Sequence, residues 1–361
     1  MKSRLILPAA SFWNNFLIHT ILFAENSKEE FNNIIFDDVL ASPLFFRADV
    51  KKSDPSFTKK HMVINAAEIL KLNNNNPYFD EIYITISSPS LRVYKQLAKI
   101  FTFKKVYFIE ESLFSYVRFM VDKKLVKLVN KHQIYLINYD EILLQAIFKA
   151  GVNPKNTIFL KKQDLLNNIK NFAEDHNKTA IVLIDRIRFN NPKKDFIINE
   201  YKNYLKLLND NGNSILLRPH PKLDSRIYND LAEFIKPFPN ASINNGKMGV
   251  EVLAVKKGSI VIAAYSTALF SLKFLYEADV FTSIKLLKDR VSFFKFNYMA
   301  LSARVIIYLL PDFSGEKVKL PVSIADYVLG KKYSLRWLLN MFVFWYSRLL
   351  LERLHYRIKI K

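Results

Sequence analysis

The sequence predicts an α/β protein built from two doubly wound units, each with a parallel sheet. Three observations carry that prediction. The chain has 361 residues, too many for one typical core, so two domains of about 150 to 200 residues are expected. Half of the residues are hydrophobic and 14% are aromatic, enough to fill substantial cores and to exclude global disorder. Short β-rich runs alternate with stretches of helical period, the rhythm of parallel strands joined by helices.

Taken in order, the strands of the first half are RLILPA from Arg4, EIYITIS from Glu81, KVYFIE from Lys105, IYLIN from Ile134 and TIFL from Thr157. Helical period marks SLRVYKQLAKIF from Ser90 and YDEILLQAIFKAG from Tyr139, the latter ending on Gly151 as C-cap. The asparagines of KLNNNNPYF, from Lys71, read as a solvated turn. After the polar stretch from Asn167 to Lys178 the rhythm restarts. A strand TAIVLID from Thr179 leads to a helix from about Asp195 to Asn209, then come the strands SILLRPHP, SIVIAA from Ser259 and ARVIIYLL from Ala303. The expected organisation is a Rossmann-like unit over residues 1–175, a second over 176–310 and a basic, aromatic helical tail over 311–361.

Composition removes several function classes. Cysteine is absent, which excludes disulfides, thiolate metal sites and cysteine nucleophiles. Seven glycines form neither a Walker sequence nor a G-x-G-x-x-G run, so P-loop hydrolysis and dinucleotide cofactors are disfavoured. The formal charge of +21 points to nucleic acid, an anionic membrane face or phosphate-bearing substrates. No RNA-recognition octamer, zinc spacing or helix-turn-helix signature accompanies it, so nucleic acid is not expected as a partner.

Positive charge gathers at the C-terminus, where Lys331, Lys332, Arg336, Arg348, Arg353, Arg357, Lys359 and Lys361 face one acid, Glu352. Between Arg336 and Arg348 lies WLLNMFVFWYS, which as a helix would span only about 16 Å of a hydrocarbon core about 30 Å thick. It fits a helix lying on anionic lipid, or a terminal helix packed on the protein's own core. Asn14, Asn15 and His19 interrupt the first apolar stretch, so no secretory signal is read. The expectation is a cytoplasmic protein, peripheral at the inner membrane face where the tail binds lipid.

Three strand ends carry chemistry. In YFIEESLFSY an apolar run ends in Glu110 and Glu111, followed by Ser112. Ligands of open α/β sheets bind outside the carboxyl ends of the strands, where a carboxylate can take a proton from a hydroxyl. Glu111 in the first turn of the next helix would instead complement its dipole. In SILLRPHPKL, Pro219 and Pro221 hold the backbone extended and present His220 at a strand end, where it can donate to a leaving phosphate beside the fixed charge of Arg218. In IVIAAYSTALFSLKFLYE, Ser266 and Thr267 open a helix whose apolar face runs through Leu269, Leu272 and Leu275. That is an ordinary N-cap, or an anion site made of backbone N–H groups, two hydroxyls and the helix dipole. Glu251, in MGVEVLA, begins a helical stretch and alone reads as a surface residue.

Together these motifs resemble the bacterial sialyltransferases and the alpha-2,8-polysialyltransferase-like group. IEESLFSY is similar to their acidic motif, RPHP to their HP motif and YSTAL to their Ser/Thr motif, over about Lys104 to Glu277. The resemblance implies a GT-B fold with two Rossmann-like domains facing a cleft. It implies an inverting glycosyltransferase that moves a nonulosonic acid from a CMP-activated donor to a hydroxyl of a capsule or lipooligosaccharide glycan, with no metal and no cofactor. Glu110, the motif's first acid, or Glu111 would be the base. His220, fixed by Pro221, would meet the leaving phosphate. Arg218 would lie by the cytosine, Glu251 would hold the ribose, and Ser266 with Thr267 would hold the phosphate. Ser112 stands where the family's motif has glycine; if that position takes a positive φ, a side chain there is strained by about 1 kcal/mol or more. Two other assignments stay open: a transferase using a Kdo, pseudaminic acid or CDP-polyol donor, and a non-catalytic basic protein on membrane or nucleic acid.

Overall fold

The computed structural model describes residues 2–7, 12–25, 31–36, 61–64, 78–170, 177–187, 189–220, 223–245, 249–253, 255–287 and 298–315. The basic tail beyond residue 315, the asparagine turn, most of the polar stretch after residue 170 and Pro221 lie outside them.

The first sheet contains Lys2–Leu7 (β1), Phe31–Phe36 (β2), His61–Ile64 (β3), Tyr78–Thr85 (β4), Thr102–Ile109 (β5), Gln133–Leu136 (β6) and Thr157–Phe159 (β7). Its order is β3-β2-β1-β4-β5-β6-β7, with every pairing parallel. The second contains Ala180–Ile184 (β8), Ile215–Pro219 (β9), Ala241–Ile243 (β10), Ile260–Ala263 (β11) and Asp279–Thr282 (β12), ordered β10-β9-β8-β11-β12 and again parallel. Two parallel sheets joined by helices are the two Rossmann-like units expected from the alternation of runs. In the second sheet the winding reverses between β8 and β11, the switch point at which open α/β sheets form their ligand crevice.

The helices are Phe12–Glu25 (α1), Ser88–Leu97 (α2), Leu113–Val121 (α3), Lys123–Val129 (α4), Glu141–Lys149 (α5), Lys162–Ile169 (α6), Lys194–Asp210 (α7), Ser225–Ile235 (α8), Ala268–Tyr276 (α9) and Tyr298–Leu309 (α10). Local chemistry sets their ends. Ser87 caps α2 by accepting from the Ser90 N–H at 3.1 Å, and Asp140 caps α5 by accepting from Ile142 N–H at 2.9 Å. Gly151, at φ +107°, takes the left-handed position that stops the chain after α5.

Strands β8 and β9 are buried at every position, which is why they read as continuous apolar runs rather than alternating ones. One apolar core runs through both units, holding Leu5, Tyr83 and Phe108 together with Val261, Phe270 and Leu272. A second core, built on Val182, Tyr201 and Leu217, also draws on the second sheet. Helix α6 packs against both α1 and α9, and α10 packs on α3 of the first unit.

Three expectations are corrected. ARVIIYLL is helix, the end of α10, not strand. Ala303, Val305, Ile306 and Ile307 are all buried, and a short run apolar on all sides carries no period that separates strand from helix. Glu251 lies in a single 3-10 turn, Val250–Val252, rather than a longer helix, and is only 7% exposed rather than a surface residue. Strands β2 and β3 complete the first sheet beyond the runs that sequence pattern picked out.

Candidate active site

The acidic pair divides at the end of β5. Glu110 is fully buried, and its carboxylate is built into the protein. Oε1 accepts from the Tyr139 hydroxyl at 2.5 Å, and Oε2 accepts from the Ile137 N–H at 3.2 Å. The Tyr139 hydroxyl in turn accepts from the Trp13 indole N–H at 3.1 Å. The Tyr116 hydroxyl, which donates to the Ile137 carbonyl, adjoins the same carboxylate. Burial pushes the Glu110 carboxyl up to about 7 against the lowering effect of these donors. Glu111 is partly exposed, and burial of its surroundings pushes it up to about 7 while the nearby Arg118 pulls it down. Arg118 is anchored by its donation to the Ile86 carbonyl at 2.8 Å.

Ser112 has φ +81° and ψ −161°, a region essentially reserved for glycine. The turn sends the chain from β5 into α3. Its closure is visible in the Glu111 N–H donating to Ser115 Oγ at 2.5 Å and the Ser115 N–H donating to the Ser112 carbonyl at 3.0 Å. The Ser112 side chain forms no capping hydrogen bond, so the serine occupies a glycine conformation without local compensation.

In the second unit, three strand ends meet in one row. Leu183 pairs with Ala263 and Ile184 with Pro219, so extending the registers places Asp185 opposite Tyr265 on one side and His220 on the other. His220 is exposed just beyond β9, with its N–H on the Ile184 carbonyl at 2.9 Å. Arg218, two residues earlier, is buried and donates to Asn244 Oδ1. Glu251 feels the Arg218 charge, which lowers its carboxyl, but burial dominates and pushes it up to about 7. Its backbone carbonyl accepts from the Tyr276 hydroxyl at 2.7 Å.

Ser266 and Thr267 stand at the start of α9. Ser266 Oγ accepts from the Ala268 N–H at 3.3 Å, a weak cap, and Thr267 makes no side-chain cap bond. Among the described residues nothing accepts from the N–H of Ser266 or Thr267. Two backbone donors, two hydroxyls and the positive end of a nine-residue helix therefore stand together where the chain leaves β11, the groups from which an anion site can be built.

The two units meet through Tyr139. Its ring lies edge-on to Phe270 and Phe274 of α9, with centroids 6.4 and 6.1 Å away. The helix that opens with Ser266 and Thr267 therefore packs on the tyrosine that holds Glu110. At its other end Glu277, with φ +55°, bonds Lys162 at 2.8 Å and Lys257 at 2.6 Å, and hydrogen bonds from both ammonium groups lower its carboxyl to about 2.

Sequence reasoning missed Asp185 and Tyr139. Asp185 closes the run TAIVLID and could have been found as a carboxylate at a strand end; Tyr139 opens a helical stretch and carries no signal of its own.

A model of the family Alpha-2,8-polysialyltransferase (POLYST) matches residues 12–285. No curated protein matches the chain. Among solved structures, the UDP-GlcNAc 2-epimerase of Methanocaldococcus jannaschii is similar at 12% identity and a TM-score of 0.50, over 78% of this chain and 83% of that one. The GT-B domain of a sialyltransferase from Photobacterium damselae is similar at 9% identity and a TM-score of 0.47, over 75% of this chain and 88% of that one.

Proposed function

This chain belongs to the alpha-2,8-polysialyltransferase family, has the GT-B fold and is a glycosyltransferase; on that premise we propose that it transfers a nonulosonic acid from a CMP-activated donor to a hydroxyl of an anionic surface glycan. The observation that carries the reading is the set of free N–H groups and hydroxyls at the start of α9, in the same row of strand ends as His220 and separated from it by the end of β8.

In the proposed mechanism Glu111 is the general base. It is the acid of the pair that reaches solvent, and a carboxyl held near 7 accepts a proton well at neutral pH. Glu110 has both carboxylate oxygens engaged inside the protein and acts as a positioning residue for the β5 end, so the base role moves from the motif's first acid to its second. As the acceptor oxygen attacks the anomeric carbon, the bond to CMP breaks and the electron pair leaves with the phosphate. The Ser266 and Thr267 N–H groups, their hydroxyls and His220 meet that developing charge, so the residues supply the stabilisation and no step runs through a metal. Attack opposite the leaving group inverts the anomeric centre. The buried Arg218 and Glu251 and the half-buried Asn244 form a polar set for the nucleoside, in which Arg218 donates to Asn244 and its charge acts on the Glu251 carboxyl; Arg218 keeps its proposed place by the cytosine and Glu251 by the ribose. Pro221 stands outside the described residues and keeps its proposed role of fixing His220.

Among the described residues no helix is long and apolar enough to cross a membrane. We assign the aromatic run from Trp337 to Ser347, with the basic residues that flank it, a role on anionic lipid at the cytoplasmic membrane face, where lipid-linked acceptors are handled. Truncation near residue 333 that left liposome binding intact would remove that part.

The test is CMP release from CMP-sialic acid, with and without lipooligosaccharide or sialyl-oligomer acceptors, for the wild type and His220→Ala. CMP is expected to raise the melting temperature where UDP, GDP and NADH do not. Release no faster in the wild type than in the variant, with every donor, overturns the catalytic reading. Protection by CDP alone favours a CDP-polyol donor.

A further inference from the structure

We propose that Asp185 is a positioning residue for the donor-phosphate turn, acting through the Tyr265 peptide; the proposal rests on the reading of Ser266 and Thr267 as a phosphate site. Asp185 directly follows β8, the strand on one side of the switch point, and β11 lies on the other side. Its Oδ2 accepts from the Tyr265 N–H at 3.2 Å, across a sequence separation of 80 residues. It is only 8% exposed, and its own N–H donates to the Tyr201 hydroxyl at 3.4 Å, so the residue is held from beneath by α7.

The consequence follows from peptide geometry. Fixing the Tyr265 N–H fixes the plane of the preceding peptide and the entry of the chain into the turn. The next two N–H groups, on Ser266 and Thr267, are the ones without acceptors. A charge-assisted bond is stronger than a neutral one and suits a site that must stay in place before the ligand arrives. A carboxylate would repel a phosphate, so direct ligation is excluded and the effect passes through the backbone. On the other flank the register sets His220 beside the same residue. Asp185 therefore aligns the two strand ends that receive the leaving group.

The experiment compares wild type, Asp185→Ala and Asp185→Asn by amide hydrogen exchange over residues 262–270, by CMP binding, and by the KM and kcat of CMP-sugar turnover. Asp185→Ala is expected to speed exchange at the Tyr265 amide about tenfold or more and to raise the donor KM and the CMP Kd about tenfold, with kcat within about threefold. Asp185→Asn keeps an oxygen acceptor and is expected to restore all three. Unchanged Tyr265 exchange in Asp185→Ala overturns the proposal, as does an Asn variant as impaired as the Ala variant. If Asp185→Ala does not fold, Asp185→Val withdraws the acceptor without loss of volume and must show the same rise in exchange. A wild type that binds no CMP defeats the donor reading alone, since the exchange measurement still decides whether Asp185 holds the turn.

Discussion

Replacing Ser112 with glycine is expected to stabilise the protein. The residue sits at φ +81° and ψ −161°, where a side chain costs about 1 to 3 kcal/mol. Glycine removes that strain but adds freedom to the unfolded chain, at a cost of about 0.4 to 1 kcal/mol. The Ser112 side chain makes no capping bond, so nothing else is lost, and the net gain is about 0.5 to 2 kcal/mol. If the 361 residues unfold together, an unfolding entropy of about 0.76 kcal/mol/K converts the gain to a rise in Tm of about 1 to 3 °C. Thermal and urea unfolding of Ser112→Gly and Ser112→Ala measure it. Alanine keeps the Cβ and should stay within about 0.5 kcal/mol of the wild type. A glycine variant no more stable than the alanine variant refutes the argument from backbone strain. Because the turn already has the glycine conformation, turnover by Ser112→Gly should stay within about threefold of wild type.

Glu111→Gln is expected to lower kcat by about 100-fold or more while leaving Tm near the wild-type value, the signature of a lost general base. Glu110→Gln sets an amide N–H2 against the Tyr139 or Ile137 donor, so it should cost about 1 to 3 kcal/mol of stability in urea unfolding; the opposite split would return the base role to Glu110. Tyr139→Phe, which removes the link between Trp13 and Glu110, should cost about 1 to 3 kcal/mol in the same assay, and no loss would show that the network contributes little. Stability should also fall with pH. Glu110 and Glu251 are raised from 4.5 to about 7, so between those values the folded protein holds protons that the unfolded chain has released. Their contribution is full below about 4.5 and is lost as pH rises through 7, seen as a falling Tm at constant ionic strength that Glu110→Gln makes shallower.

What could be read in the sequence was what sits within one run of residues. TAIVLID and SILLRPHP announced β8 and β9 because strands buried on both faces leave unbroken apolar runs, and the prolines flanking His220 marked a strand end. The same signal misled at ARVIIYLL, where burial of the consecutive Val305, Ile306 and Ile307 left an unbroken apolar run in a helix. The site's remaining parts depend on register. Nothing near Glu110 in the chain indicates that Tyr139, 29 residues later, donates to it, and that bond decides which acid of the pair stays inside. Asp185 is one carboxylate in a run, given meaning only by strands that place Tyr265 and His220 on either side. Ser112 was the exception: a single departure from the family's motif glycine anticipated a backbone angle.

The seam at Tyr139 also sets a lever. Phe270 and Phe274 lie four and eight residues after Ser266, about 6 and 12 Å along the helix axis. If the second unit tilts by about 10° with this seam as fulcrum, the start of α9 travels only about 1 to 2 Å, while groups on longer arms sweep further. On the proposed reading of Ser266 and Thr267, the phosphate-receiving end would thus keep its alignment with the acidic strand end through a rocking motion, and the travel would fall on the more distant parts of the crevice.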